Sequence, residues 1–213
     1  MKNHVLLLGI TLFFVQPILA QENPKIKTEI AYSTYLDAVK NPGNITRLKL
    51  NNLKEINAIS DWSKLSNIEY LSLENDHLKE LPTFIVNLKK LKVIDLSGND
   101  FKQLPKEFSL LQNLEEIYLN NEKDLDLPNT LSVLSKLPKL KTLHLENDNI
   151  DSLPVEILNL KNLEELYLTN NKLLDIPKIE TLEHLKYLDL KKNKIKPELQ
   201  DIKNLNFGFK ITF

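Results

Sequence analysis

Cysteine is absent from the 213 residues, and that absence removes a broad set of chemistries. Disulfide frameworks, thiolate zinc sites, iron–sulfur ligation and cysteine nucleophiles all need the sulfur atom. Glycine is nearly as scarce, at four residues: Gly9, Gly43, Gly98 and Gly208. A phosphate cradle needs glycines close together, because only a backbone without Cβ lets successive N–H groups approach the phosphate. These four stand too far apart for G-x-G-x-x-G, a Walker-type loop or a G-x-S-x-G elbow, so nucleotide hydrolysis and α/β-hydrolase chemistry lack their motifs. Neither sign of charge dominates. The 28 basic and 29 acidic side chains leave a formal net charge of −1 and are mixed rather than blocked. The basic stripe that a nucleic-acid ligand calls for is missing.

What is present is an apolar content of 42%, enough in a chain of this length for one domain with its own core. Residues 1–20, "MKNHVLLLGITLFFVQPILA", carry Lys2 in a short basic start, an apolar run from Val5 to Val15, and a closing small Ala20. This is the layout of a secretory signal peptide, with cleavage expected between Ala20 and Gln21. The alternative is an uncleaved anchor, for which the apolar run falls short of the ~20 residues that span a bilayer. No cysteine follows the cleavage point, which excludes lipoprotein anchoring. Export without cysteine fits a bacterial envelope or secreted protein better than a disulfide-capped extracellular domain. Asn44-Ile45-Thr46 is a glycosylation sequon that matters only in a eukaryotic secretory pathway.

From residue 45 onward one pattern repeats. Ile68-x-x-Leu71-x-Leu73-x-x-Asp76-x-Leu78 returns as Leu91, Ile94, Leu96, Asn99 and Phe101, and then as Leu140, Leu143, Leu145, Asp148 and Ile150. Further copies run through Leu163, Leu166, Leu168, Asn171 and Leu173, and through Leu185, Leu188, Leu190, Asn193 and Ile195. A longer copy holds Leu114, Ile117, Leu119 and Glu122, and residues 45–67 make a degenerate first copy. The starts at 68, 91, 114, 140, 163 and 185 give periods of 23, 23, 26, 23 and 22 residues. Alternating leucines put one strand face inward, and a lone three-residue strand cannot bury that face, so the copies must stack into a continuous column.

These residues resemble the leucine-rich repeat family, including the Leu-Pro that follows as Leu81-Pro82, Leu104-Pro105, Leu127-Pro128 and Leu153-Pro154, with Ile176-Pro177 as a variant. The resemblance implies an α/β, right-handed solenoid with a parallel sheet on its concave face, an irregular or 3-10 convex side, and an N-terminal helical cap. The segment "YSTYLDAVKNPGNITRLKL" looks like the entry cap of bacterial members. The expected division is a signal peptide at 1–20, an N-terminal cap at 21–44, about seven repeats at 45–205 and a C-terminal cap at 206–213. In that last segment Phe207, Phe209, Ile211 and Phe213 alternate on one face, as in a final strand or turn. Proline after leucine is expected to keep regular helix out of the return path.

In such a fold the third, fifth and seventh residues of each copy face outward from the concave sheet. Four of the six tyrosines (Tyr70, Tyr118, Tyr167 and Tyr187) fall in these columns, with six carboxylates: Glu74, Asp95, Glu116, Glu146, Glu165 and Asp189. Tyr118, His144 and Tyr167 share one position in consecutive copies, and strands ~4.8 Å apart should bring their rings into a ladder. Arg47, Lys49 and Lys191 stand in the end copies. Tyrosine is a common binding anchor, and carboxylates beside aromatic rings suit a basic surface through charge and cation–π contact. Because Tyr and Thr also favour strands, the columns have a purely structural reading as well.

The candidate partner-binding residues are therefore Tyr70, Asp95, Glu116, Tyr118, His144, Glu146, Glu165, Tyr167 and Tyr187. The family resemblance implies a secreted, non-enzymatic, monomeric protein binder, and the alternative is a glycan or cell-wall module that stacks sugars on the aromatic ladder. No cofactor, metal, nucleic acid or catalytic residue is expected. The cluster His144, Glu146, Asp148 and Asp151 looks like a metal site, but the repeat register distributes it over different faces, and neither Asp76 nor Asp148 opens a D-x-D-x-D-G calcium loop.

Overall fold

A computed structural model describes residues 45–50, 62, 65–195 and 208–213; the expected signal peptide and N-terminal cap lie outside the described residues. Among the described residues, eight short strands run in chain order through one parallel sheet. They are β1 (Arg47–Lys49), β2 (Tyr70–Ser72), β3 (Val93–Asp95), β4 (Glu116–Tyr118), β5 (Thr142–His144), β6 (Glu165–Tyr167), β7 (Tyr187–Asp189) and β8 (Lys210–Thr212). The register follows the repeat residue for residue. Leu48, Leu71, Ile94, Ile117, Leu143, Leu166, Leu188 and Ile211 pair in one row. The first seven of these have no exposed surface, and each contributes about 1.5–3 kcal/mol by leaving water. β8 continues the sheet beyond the last repeat. Phe209 and Ile211 pack partly against the core there, whereas Phe213 is half exposed instead of sharing their face.

After each of β2 to β7 the chain turns through a residue of positive φ one place before the asparagine position: Asn75, Gly98, Asn121, Asn147, Asn170 and Lys192. Asparagine tolerates this left-handed conformation better than other side chains. At Gly98 glycine is also required by space, since a Cβ would lie 2.2 Å from Asn75 Oδ1.

The next residue ties neighbouring copies together. Asn171 Nδ2 donates to the carbonyls of Leu145 (2.6 Å) and Leu168 (3.0 Å), while its Oδ1 accepts from the amides of Asp148 (3.0 Å) and Ile150 (3.1 Å). Asn99 and Asn193 repeat the arrangement, with Nδ2 reaching Leu73 and Leu96, or Leu168 and Leu190. One buried amide thus satisfies four backbone groups that leave the sheet.

On the far side, Pro82, Pro105 and Pro154 each precede a 3-10 turn, at Thr83–Asn87, Lys106–Leu110 and Val155–Asn159. Ile85, Phe108 and Ile157 anchor these turns in the core. The long copy differs. Its extra residues form a regular helix, α1 (Leu127–Leu134), capped by Asp126, whose carboxylate accepts from Asn129 N at 3.1 Å. Pro128 opens this helix rather than preventing it, because an N–H in the first turn has no intrahelical acceptor and its absence costs nothing. Leu127, Leu131 and Leu134 of α1 enter the core that the 3-10 residues fill elsewhere.

At the second residue of each copy the charges alternate: Glu69, Lys92, Glu115, Lys141, Glu164, Lys186. Backbone hydrogen bonds place them in one row, from Lys92 N to Glu69 O and onward to Lys186 N with Glu164 O. Lys92 Nζ meets Glu69 at 2.7 Å and Lys141 Nζ meets Glu164 at 3.0 Å, while Lys186 bonds the same Glu164 from the other side.

Candidate functional site

The strand register carries the outward residues into two straight rows. One reads Arg47, Tyr70, Val93, Glu116, Thr142, Glu165, Tyr187, Lys210, and the other Lys49, Ser72, Asp95, Tyr118, His144, Tyr167, Asp189, Thr212. Tyr118 and His144 stack with centroids 3.9 Å apart and planes 10° from parallel. His144 and Tyr167 stack at 4.3 Å and 5°. Tyr187, in the other row, meets Tyr167 at 5.3 Å but tilted by 53°.

Carboxylates flank the stack. Glu116 Oε1 lies 3.2 Å from His144 Nε2, and Glu146 Oε2 lies 3.5 Å from Nδ1, an ion-pair distance without a well-aligned hydrogen bond. Tyr167 donates its hydroxyl to Glu165 at 2.7 Å, and Tyr187 donates to Asp189 at 3.1 Å. Asp95 accepts from the Ser97 amide at 3.0 Å.

Burial works against an ionised His144, but the hydrogen bond to Glu116 and the negative charges of Glu116 and Glu146 outweigh it and hold the imidazole above its ordinary pKa. Burial likewise opposes ionisation of Glu116, yet hydrogen bonds from His144 and Tyr118 hold its carboxyl below the usual range. Burial and the adjoining carboxylates Glu116 and Glu165 push the Tyr118 and Tyr167 hydroxyls well up, so both remain donors. The centre of the face is an imidazole stacked between two phenols and flanked by two glutamates.

Two corrections follow to the sequence reading of these rows. First, the fifth-position row is not simply solvated: Ser72, His144 and Asp189 are only 1%, 8% and 6% exposed. Stacked neighbours cover one another, because side chains at sheet spacing leave little room for water between them. Second, the open aromatic faces expected for cation–π contact are largely occupied from within. Arg47 Cζ sits 4.1 Å from the Tyr70 ring centre, Lys210 Nζ sits 5.6 Å from that of Tyr187, and His144 has a ring on each side.

The structure brings Glu116, Tyr118, His144, Glu146, Glu165 and Tyr167 into one group, with Tyr187 at its edge and Asp95 on the adjoining strand. Tyr70 stands apart with Arg47. Asp189, Lys210 and Thr212 belong to the same rows and were not among the candidates. The x-Ile-x alternation of Lys210-Ile211-Thr212 carries the signal for the last two. Among the described residues, no group of three or more histidines, aspartates and glutamates is arranged to hold a metal ion.

Two family models match: "Leucine-rich repeat region" over residues 45–142 and "Leucine Rich repeats (2 copies)" over 161–207. The chain belongs to the leucine-rich repeat family. Solved leucine-rich repeat structures agree. A leucine-rich repeat protein of Leptospira interrogans superposes with a TM-score of 0.56 at 24% identity, covering 87% of this chain and 58% of that one. Internalin C2 of Listeria monocytogenes gives 0.56 at 27%, covering 79% and 72%. Human trophoblast glycoprotein gives 0.56 at 23%, covering 71% and 61%. This leucine-rich repeat chain thus spans less than two thirds of the length of the Leptospira and human chains. No curated protein sequence matches it. The leucine-rich repeat fold is typical of protein–protein interaction, and the family's members are generally non-enzymatic scaffolds. Among the described residues no helix is long and apolar enough to cross a membrane.

Proposed function

We propose that this chain is an exported, non-enzymatic recognition protein that binds a protein partner bearing lysine or arginine through its concave face. The observation that carries the reading is the Tyr118–His144–Tyr167 stack ringed by Asp95, Glu116, Glu146 and Glu165, with Arg47, Lys49 and Lys210 confined to the ends of the same rows. Four carboxylates around one imidazole leave the centre acidic. The stack presents ring edges and hydroxyls held in fixed geometry, so little side-chain entropy remains to be lost on binding. Attraction comes from charge more than from cation–π contact, since the ring faces are used internally. His144 lies between the two glutamates, hydrogen-bonded to Glu116 through Nε2 and at ion-pair distance from Glu146 through Nδ1. Sugar stacking, the alternative, needs an open ring face, and His144 offers none. Export rests on the layout of residues 1–20.

The test is affinity capture from envelope and host extracts with the wild-type chain, with Tyr118→Ala/Tyr167→Ala and with Glu116→Gln/Glu165→Gln, each verified as folded by circular dichroism. A protein retained by wild type, lost by both variants and released by raised salt is the expected result. Equal capture by all three overturns the concave-face assignment.

A further inference from the structure

Besides the copy that carries Asp76, two neighbouring copies lack the ladder amide. Glu122 and Asp148 stand where Asn99, Asn171 and Asn193 stand elsewhere, and they are 2% and 7% exposed. One oxygen of each does the amide oxygen's work. Glu122 Oε1 accepts from Asn99 N at 2.8 Å, and Asp148 Oδ1 accepts from Glu122 N at 2.7 Å. The other oxygen of each, Glu122 Oε2 and Asp148 Oδ2, is buried without a hydrogen-bond partner. By register these second oxygens take the place of the amide Nδ2, which in the other copies donates to the sixth-position carbonyl of its own copy and of the copy before. The corresponding carbonyls here are those of Leu96, Leu119 and Leu145. A carboxylate oxygen has nothing to donate to a carbonyl, whereas a neutral carboxylic acid has one O–H for it.

We propose that Glu122 and Asp148 fold as neutral carboxylic acids, so that the solenoid beneath Tyr118 and His144 is tight in acid and loosens as the pH rises. Two buried anionic oxygens in adjacent copies require a proton or a cation, and the described residues converge on no metal-binding group there. Neighbouring charge favours the proton. Asp148 and Asp100 act on Glu122, and Glu146 acts on Asp148. Asp126 and Asp151 outnumber Lys123 around the cavity of about 300 Å³ that both carboxyls help line. In agreement, burial pushes Glu122 up to about 8 and Asp148 up to about 7, with backbone N–H bonds opposing it only in part.

The sign of the effect is fixed. These folded pKa values exceed the ordinary 4.5 and 3.8, so the folded chain holds protons that the unfolded chain releases. The stability they confer is complete below about pH 4 and is lost as the pH rises to about 8, the folding equilibrium constant falling by up to about tenfold per pH unit for each group. The reading does not rest on the partner assigned above.

The experiment compares urea unfolding of the wild-type chain with Glu122→Gln/Asp148→Asn, which restores amides, from pH 4 to pH 9. His144 is present in both chains, so its contribution cancels in the comparison. The variant is expected to match the wild type near pH 4, to exceed it above pH 8 and to give the flatter curve between. Parallel curves overturn the proposal. Isotope-edited infrared spectra of the wild type should show neutral carboxyl bands at pH 6 that vanish by pH 9, and their absence at pH 6 overturns it without recourse to a variant. Added calcium chloride that stabilises the wild type but not the variant overturns it too, because a cation would then hold the oxygens.

Discussion

Single side chains carry the stacking of this molecule, and Asn171 shows how much rests on one of them. Removing its amide strands the Leu145 carbonyl and the Asp148 and Ile150 amides, all in or near the core, while the Leu168 carbonyl keeps Asn193 Nδ2. Asn171→Ala should lower stability by on the order of 3 kcal/mol in chemical denaturation, since each stranded buried group costs ~1–3 kcal/mol and relaxation recovers part. A change below ~1 kcal/mol would show that water replaces the amide easily. His144 gives a second test at this scale. Its folded pKa lies above the ordinary 6.5, so the stability it contributes is complete below about pH 6.5 and lost as the pH passes the folded value. Glu116→Gln removes one of the two charges that hold it there, and an NMR titration of the imidazole should find the midpoint moved to lower pH. An unmoved midpoint would assign the shift to Glu146 alone. The alignment of Tyr118, His144 and Tyr167 was legible in their spacing, because a repeat register converts sequence position into sheet position directly. The burial of His144, and the placement of Arg47 on Tyr70, were not: both depend on which side chains lean together across strands, and spacing says nothing of lean.

Among the elements, the strands and asparagine turns follow from the leucine pattern, and the left-handed residue before each turn also has a sequence signature in Asn75, Gly98, Asn121, Asn147 and Asn170. The exception is α1. Leu127-Pro128 looks like the other Leu-Pro pairs, but it starts a helix because Asp126 caps it and three extra residues in this copy give the turn room to close. Leu-Pro alone therefore does not determine the return path, which depends on whether a cap precedes it and apolar residues follow at helical spacing. Asp126→Ala should cost about 1 kcal/mol and speed hydrogen exchange at the Asn129 and Thr130 amides while leaving β4 and β5 protected. Exchange that accelerates in the strands as well would mean that α1 and the sheet open as one unit.

At the scale of the whole molecule, each copy touches mainly its neighbours, so stability is close to a sum over interfaces. The alternating row Glu69, Lys92, Glu115, Lys141, Glu164, Lys186 gives those interfaces a parity. Every junction joins an acid to a base, so the natural module is a pair of copies, although the leucine pattern counts them singly. Excising residues 91–113 would bring Glu69 beside Glu115, two like charges in one row. Excising 91–139 would bring Glu69 beside Lys141 and restore the alternation with a shorter chain. The one-copy deletion should gain stability as salt is added and the two-copy deletion should lose a little, which thermal unfolding at low and high ionic strength reads directly. Matching salt responses would show that the row has no bearing on which copies can be neighbours. If the responses differ as expected, lengthening or shortening this solenoid is governed by an even-number rule written in a column that never enters its core.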